Sequence, residues 1–392
     1  MSQRRALAPP RDLTIPDDGS TTAYDVLSRA IGRVLREATT IVQARSRGAI
    51  GGDAGALASA VRRPEIGVLV RALRGKKGSA AQAIAAELVV AVCFEHARAH
   101  ALPRPIRLAR LPRRILSSAA RVAIDVPDDV RALTFSSGRL VIERASGATA
   151  IDLDSVATST LPGVRVAYHE LGGESVFATE DNNPLAMLEA HPDKAGNAVD
   201  LGGESVERWT SALKAALAII HAHAPALHAE MALYRPQMIP VGVFAERHLS
   251  ASYQEAIGTM YLSLHPSVMT MVEAIVHEFS HNKLNALFEI DGVLENAFAP
   301  LYASPVRPDP RPLQGVLLAV HAFLPVARIY EKMIDARHPL ADTGSFRARF
   351  TEIVRINQEG ASTLRENAQP TPIGRALIDE ITRWDEYFRP FA

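Results

Sequence analysis

The chain has 392 residues, 47% of them hydrophobic, which is enough for a sizeable core and suggests two or three domains. Lys plus Arg and Asp plus Glu number 43 each, so there is no electrostatic footprint for nucleic acid or an anionic membrane surface. The single cysteine, Cys93, excludes an internal disulfide and fits a reducing cytoplasm. The first residues, MSQRRALAPPRDLTIPDD, carry two arginines but no apolar stretch after them, so no signal peptide is expected. No window reaches the roughly 18 uninterrupted apolar residues of a membrane span. These features predict a cytoplasmic protein that binds neither nucleic acid nor membrane.

In chain order, residues 1–20 are polar and proline-containing and read as a loose arm. Thr21 to about Arg45 reads as an amphipathic helix, with Val26, Leu27, Ile31, Val34 and Leu35 at helical spacing. After a Gly-rich break at 48–55, Ala- and Leu-rich helices follow near 56–74 and 79–100. The Pro- and Arg-rich run at 101–114 places a boundary. The period then changes to that of strands at 121–125, 133–135, 139–144 and 164–169, with a turn at Ser136-Ser137-Gly138. Residues 180–204 are loop-like, and Gly202-Gly203 reads as a turn. A helix at about 205–224 and strands at 238–244 and 257–264 lead into a helix from Ser267, as N-cap, to Ile290. Beyond a Pro-rich loop at 300–312, helices are expected at 313–336, 345–368 and 373–388. The sum is a helix-rich α+β fold in three regions: an N-terminal helical region (1–110), a small, mostly antiparallel β-rich region (111–204) and a C-terminal helical metal-binding region (205–392).

The chemistry concentrates in His277-Glu278-Phe279-Ser280-His281. Histidines four apart on a helix lie on one face, one turn apart, so two imidazoles can converge on one ion. The preceding Met271, Val272, Ala274, Ile275 and Val276 suit a buried helix. Two satisfied core histidines are the plain alternative. A catalytic site needs a third ligand. His321, in an apolar helix forty positions on, is the first candidate, because a polar ring in that company needs a partner. Glu295, Asp291 and Glu289 are the carboxylate alternatives. The residues after His281 do not continue as H-x-x-G-x-x-H, which excludes a metzincin. His221, His223 and His228 crowd a helix end with Pro225 between them, a spacing that suits no tetrahedral site. The loop at Asp181–Pro184 with Gly196-Asn197 could shape a substrate entrance, and Ser250–Tyr253 could receive an extended peptide by strand addition.

A longer pattern extends the motif. The run from His277 to Leu287 and a second block, Tyr302 to Leu317 continuing through His321 to Ala327, resemble the HExxH-motif family of peptide-modification proteins, described as 2-oxoglutarate-dependent peptide β-hydroxylases. The resemblance covers roughly residues 180–335. It implies an Fe(II) site, 2-oxoglutarate as cosubstrate and a ribosomally made precursor peptide as substrate. The usual iron arrangement is two histidines and a carboxylate, so His321 as third ligand would be a departure. The cosubstrate's distal carboxylate needs a cation. Arg311 and Arg307, between the two helices, are the candidates, with Asp309 placed to orient one of them. Glu278 would then support the metal ligands. In the second reading, a zinc metallopeptidase, Glu278 is the general base on a metal-bound water. A third reading is a non-catalytic peptide-binding module.

Overall fold

The computed structural model describes residues 12–16, 19–46, 50, 53–188, 190–191, 194–306 and 309–391. The fold is helix-rich α+β, 51% helix and 18% strand. Four helices open it: α1 (Thr22–Ser46), α2 (Ala54–Val61), α3 (Pro64–Ala72) and α4 (Gly78–Arg98). The helix expected over 56–74 is two helices, because Pro64 starts a new one at its first turn, where a missing N–H costs nothing. Strands follow: β1 (Ile106–Leu108), β2 (Arg114–Ser117), β3 (Val122–Asp125), β4 (Val130–Ser136), β5 (Arg139–Arg144), β6 (Gly147–Asp152), β7 (Val164–Val166), β8 (Tyr168–Gly172) and β9 (Ser175–Ala178). A two-residue ladder pairs β10 (Ala190–His191) with β11 (Lys194–Ala195). Then come α5 (Val206–His223), α6 (Pro225–Leu233), β12 (Gln237–Val243), β13 (Ser250–Ala251), β14 (Thr259–Leu264) and α7 (Val268–Phe288). A short hairpin of β15 (Leu301–Tyr302) and β16 (Arg311–Pro312) precedes α8 (Leu313–Asp335), α9 (Gly344–Asn367) and α10 (Pro372–Phe388).

The chain divides into two compact units whose segments alternate along the sequence. One holds the described residues up to Ser28, Ala215–Met231, and the chain from Val272 onward; the other holds Arg29–Lys214 and Ala232–Met271. These units do not follow the three consecutive regions expected from the sequence. The reason is strand pairing: β12 lies parallel to both β14 and β9, so residues 232–271 complete a sheet begun near residue 168.

In the β-rich unit the five-stranded sheet has the order β13-β14-β12-β9-β8. Its centre is parallel, within sheets whose pairings are otherwise antiparallel as expected, and every residue of β14 is buried, as a central strand requires. The four-stranded sheet β1-β4-β5-β6 and the three-stranded sheet β2-β3-β7 are antiparallel. Ser137-Gly138 closes the β4–β5 hairpin, with Gly138 at φ +68°, a conformation that favours glycine. Leu88, Val92, Cys93 and Phe94 of α4 share one apolar core with strand residues such as Leu133 and Phe135.

The other unit packs α8 against α9 and α10. Gly360 lets α9 approach α8 closely: a Cβ there would lie 2.3 Å from Val320 Cγ2. The described residues 12–16 are not a loose arm. Leu13 and Thr14 donate backbone N–H groups to the Glu380 carboxylate at 2.9 and 2.8 Å. Lys283 of α7 donates to the carbonyls of Asp12 (2.9 Å) and Thr14 (3.2 Å) and pairs with buried Glu230 at 2.7 Å. Two helices, α4 and α8, are long and apolar enough to cross a membrane by length and composition, and 61% and 72% of those apolar windows is buried inside the fold.

Candidate metal centre

Helix α7 starts where the sequence places it. The Ser267 hydroxyl accepts from the Thr270 N–H (3.3 Å), and the Ser267 N–H donates to His265 Nδ1 (3.0 Å), closing the helix entry. The helix is buried around most of its circumference. Val272, Ile275, Val276, Phe279 and Leu284 are in the core, while Glu273, His277 and His281, spaced by four, form a half-buried strip. Two polar side chains of α7 are tied to its own backbone: Ser280 Oγ donates to Val276 O (2.7 Å) and Asn282 Nδ2 to Glu278 O (2.9 Å).

On that strip the His277 and His281 rings stand 4.5 Å apart, centroid to centroid, and nearly perpendicular at 82°. One ligand atom each from His277, Glu278 and His281 lies within 4.8 Å of the others, and among the described residues this is the one such grouping of potential metal ligands. Two atoms in the group are buried without a hydrogen-bond partner, His281 Nδ1 and Glu278 Oε2. Glu278 itself is only 3% exposed. A buried carboxylate oxygen and a buried ring nitrogen are each costly unless something satisfies them. A cation does so, and the donor set of two imidazoles and a carboxylate is one that Fe(II) or Zn(II) accepts. Burial holds His281 below the usual histidine range, against the pull of Glu278, so the ring is neutral and able to ligate.

The surroundings of the pair come from α8 and α9. Phe323 packs on His277 with ring centroids 4.7 Å apart. The Arg349 guanidinium lies 5.9 Å from the Phe323 ring and binds Glu273, one turn before His277, at 2.8 and 3.1 Å. Tyr330 also donates to Glu273. A cation is therefore held beside the histidine strip. Arg349 has no local motif to announce it, whereas Glu273, four residues before His277, was within reach of the helical-face argument.

His321 is not part of the group. It is 1% exposed, and its Nε2 meets the Leu13 carbonyl at 2.9 Å. A carbonyl only accepts, so Nε2 carries the proton. Burial, with Lys283 nearby, lowers the ring to about 3, which keeps it neutral. The polar ring in an apolar helix found its partner in the N-terminal segment, not in a metal. Arg311 sits in β16, directly before α8 as expected, but its guanidinium pairs with Asp309 at 3.0 Å and with no group on α7. Arg307 lies outside the described residues. Among the carboxylate alternatives, Glu295 is exposed, Asp291 accepts from Val293 N–H (2.6 Å) and Thr371 hydroxyl (2.5 Å), and Glu289 is buried outside the group. His221 stacks edge-on with His228, and His223 with His338, as two separate pairs. In the other unit, Asp181 is a half-buried acid held within the fold: Tyr261 donates to it at 2.8 Å, and loss of solvation raises it to about 6. Ser250–Ala251 forms the edge strand β13, paired to β14.

No protein-family model matches the chain, and no curated protein matches it.

Proposed function

We propose that the chain is an Fe(II)- and 2-oxoglutarate-dependent oxygenase that hydroxylates a side chain, at the β-carbon, of a ribosomally made peptide in the cytoplasm. The observation that carries the reading is the convergence of His277, Glu278 and His281, with two of their buried polar atoms lacking any partner. His277 and His281 would hold the metal through neutral imidazole nitrogens. Glu278, in place of His321, would complete a two-histidine, one-carboxylate set. Bound iron would supply oxygen activation: one atom of O2 enters the substrate C–H bond, the other enters succinate, and 2-oxoglutarate is oxidised with loss of CO2. The resemblance of residues 277–287 and 302–327 to the HExxH peptide-modification proteins supports this chemistry. Arg349, held beside the strip by Glu273 and Phe323 and paired also with Glu352 at 2.9 Å, would have to exchange one of these carboxylates for the dicarboxylate to take the role expected of Arg311 or Arg307.

Glu278 also favours a second reading, a zinc peptidase. A carboxylate this close to both histidines could take a proton from a metal-bound water. Metal analysis of anaerobically purified protein tests the shared premise first. The wild type should carry about one metal per chain, as a single three-donor site allows. His277→Ala and His281→Ala should lose it while keeping the wild-type circular dichroism spectrum. Full occupancy in the double variant would remove the site.

A further inference from the structure

The four-stranded sheet of the β-rich unit ends on β1, which has β4 on one side and no strand on the other. In an antiparallel pair, alternate residues turn their N–H and C=O groups away from the partner, so an end strand presents a row of unused backbone groups. No described residue outside β4 hydrogen-bonds the backbone of residues 106–110. Beside β1 runs a cavity of about 490 Å³, lined by those five consecutive residues, by the end of α1 at Arg45 and by Ala86 and Val89 of α4. No residue of β4, β5 or β6 lines it, which places it along the open side of β1. Its floor is apolar, from Ala86, Val89, Ile106 and Leu108. Its rim is cationic. Residues 104–114 hold five arginines and no acid, in a chain whose net charge is zero. Arg107 is tied to Glu143 at 2.8 Å, and Arg114 to Glu180. Arg45 and Arg110, both exposed at the cavity, have no acidic partner among the described residues, and Arg110 meets the neutral Gln82 at 3.5 Å.

Pro105 and Pro112 bracket the open edge, and a proline has no N–H to give a further strand, which limits the pairing to residues 106–111. A second copy of the chain would bring the same arginines to this edge and be repelled, whereas an acidic strand is attracted. We propose that the open edge of β1 and the groove beside it bind an extended acidic peptide segment of another protein, with apolar and acidic side chains in alternation. Its main chain would bond β1, its apolar side chains would lie on the floor of the groove, and its carboxylates would meet Arg45 and Arg110. The surface belongs to the unit that does not carry His277, Glu278 and His281, and the proposal does not rest on the oxygenase reading.

Fluorescence anisotropy of a labelled hexapeptide of alternating Glu and Val, titrated with the full chain, tests it. We expect saturable binding with a Kd below ~1 mM, weakened by added salt. Arg45→Glu and Arg110→Glu, both at exposed positions, should together weaken it about tenfold or more while the circular dichroism spectrum stays that of wild type. Methylating the backbone nitrogens of either the Glu or the Val residues separates strand addition from charge pairing alone. One of the two patterns removes the donors that face β1 and should abolish binding, and the other should bind like the parent peptide. Four results overturn the proposal: no saturation below ~1 mM; equal affinity for the two methylated peptides; an unchanged affinity in the double arginine variant; or tighter binding of a single-stranded DNA hexanucleotide than of the peptide.

Discussion

Lys283 ties α7 to the N-terminal segment, and its removal has a calculable cost. Lys283→Met keeps the apolar stem but deletes the ammonium that bonds Asp12 O, Thr14 O and Glu230. At 2.7 Å the gross attraction between the two charges is about 6 kcal/mol at an effective dielectric of 20, most of it offset by their desolvation. What matters is the state left behind, a buried Glu230 with no cation, for which about 3–5 kcal/mol is typical. The two carbonyls add a further ~1 kcal/mol or more. We therefore expect a loss of about 4–6 kcal/mol at pH 8. The loss should shrink with acid. Burial already raises Glu230 above the usual carboxylate range even with Lys283 beside it. Without the lysine the folded state takes up a proton more readily than the unfolded state. The penalty is thus full above the folded pKa and relieved as pH falls toward the unfolded value. Urea unfolding followed by circular dichroism at pH 8 and pH 5 measures both quantities, and adding Glu230→Gln to Lys283→Met should recover at least half of the loss at pH 8. A loss below about 1 kcal/mol at pH 8, the scale of an ordinary exposed pair, or one independent of pH, would refute the reasoning.

Asp181 gives a second pH test in the other unit. Its carboxyl is raised from 3.8 to about 6, so the folded state is favoured below the unfolded pKa and loses that advantage as pH rises through 6. Asp181→Asn should gain stability relative to wild type between pH 4 and 8, by up to about 3 kcal/mol, at 1.36 kcal/mol per pKa unit; parallel stability–pH curves for the two proteins would contradict it. His321→Gln should keep the wild-type metal stoichiometry, because the ring bonds Leu13 and is not a ligand, while costing about 1–3 kcal/mol of stability for the disturbed buried bond. Loss of metal in this variant would restore His321 to the site. Gly374→Ala should destabilise by about 2 kcal/mol or more by overpacking, since its Cβ would fall 1.9 Å from the Val293 carbonyl oxygen, and a melting temperature equal to that of wild type would count against the α10 packing described.

The helices that carry the site were legible because each signal was local. The Ser267 cap, the histidine spacing on α7 and the apolar periods of α8, α9 and α10 lie within windows of a few turns. What sequence reasoning missed depends on distant partners. Thr14 meets Glu380 across 366 positions, so a polar, proline-containing segment with no periodicity reads as loose although its residues 12–16 are pinned. His321 illustrates the ambiguity of a buried histidine: its need for a partner is evident from its apolar neighbours, but a backbone carbonyl satisfies that need as well as a metal does. Arg311 stood out by composition, whereas Arg349 stands beside the histidine strip because α9 folds back along α8. The short strands β1, β2 and β6 are too brief or too polar to show alternation, and the parallel pairing of β12 with β9 cannot be read from either strand alone.

The central claim is that the group of His277, Glu278 and His281 serves an iron- and 2-oxoglutarate-dependent hydroxylation. The most direct measurement is succinate formation by the anaerobically purified protein, loaded with Fe(II) and then given O2, ascorbate, 2-oxoglutarate and candidate precursor peptides, with a zinc-loaded sample in parallel. The account predicts succinate in step with a peptide mass increase of one oxygen, lost in His277→Ala, and in Arg349→Lys a rise in the apparent Michaelis constant for 2-oxoglutarate greater than that for the peptide. Peptide cleavage by the zinc-loaded protein, together with no succinate from the iron-loaded protein, would contradict it and leave Glu278 as the base of a peptidase.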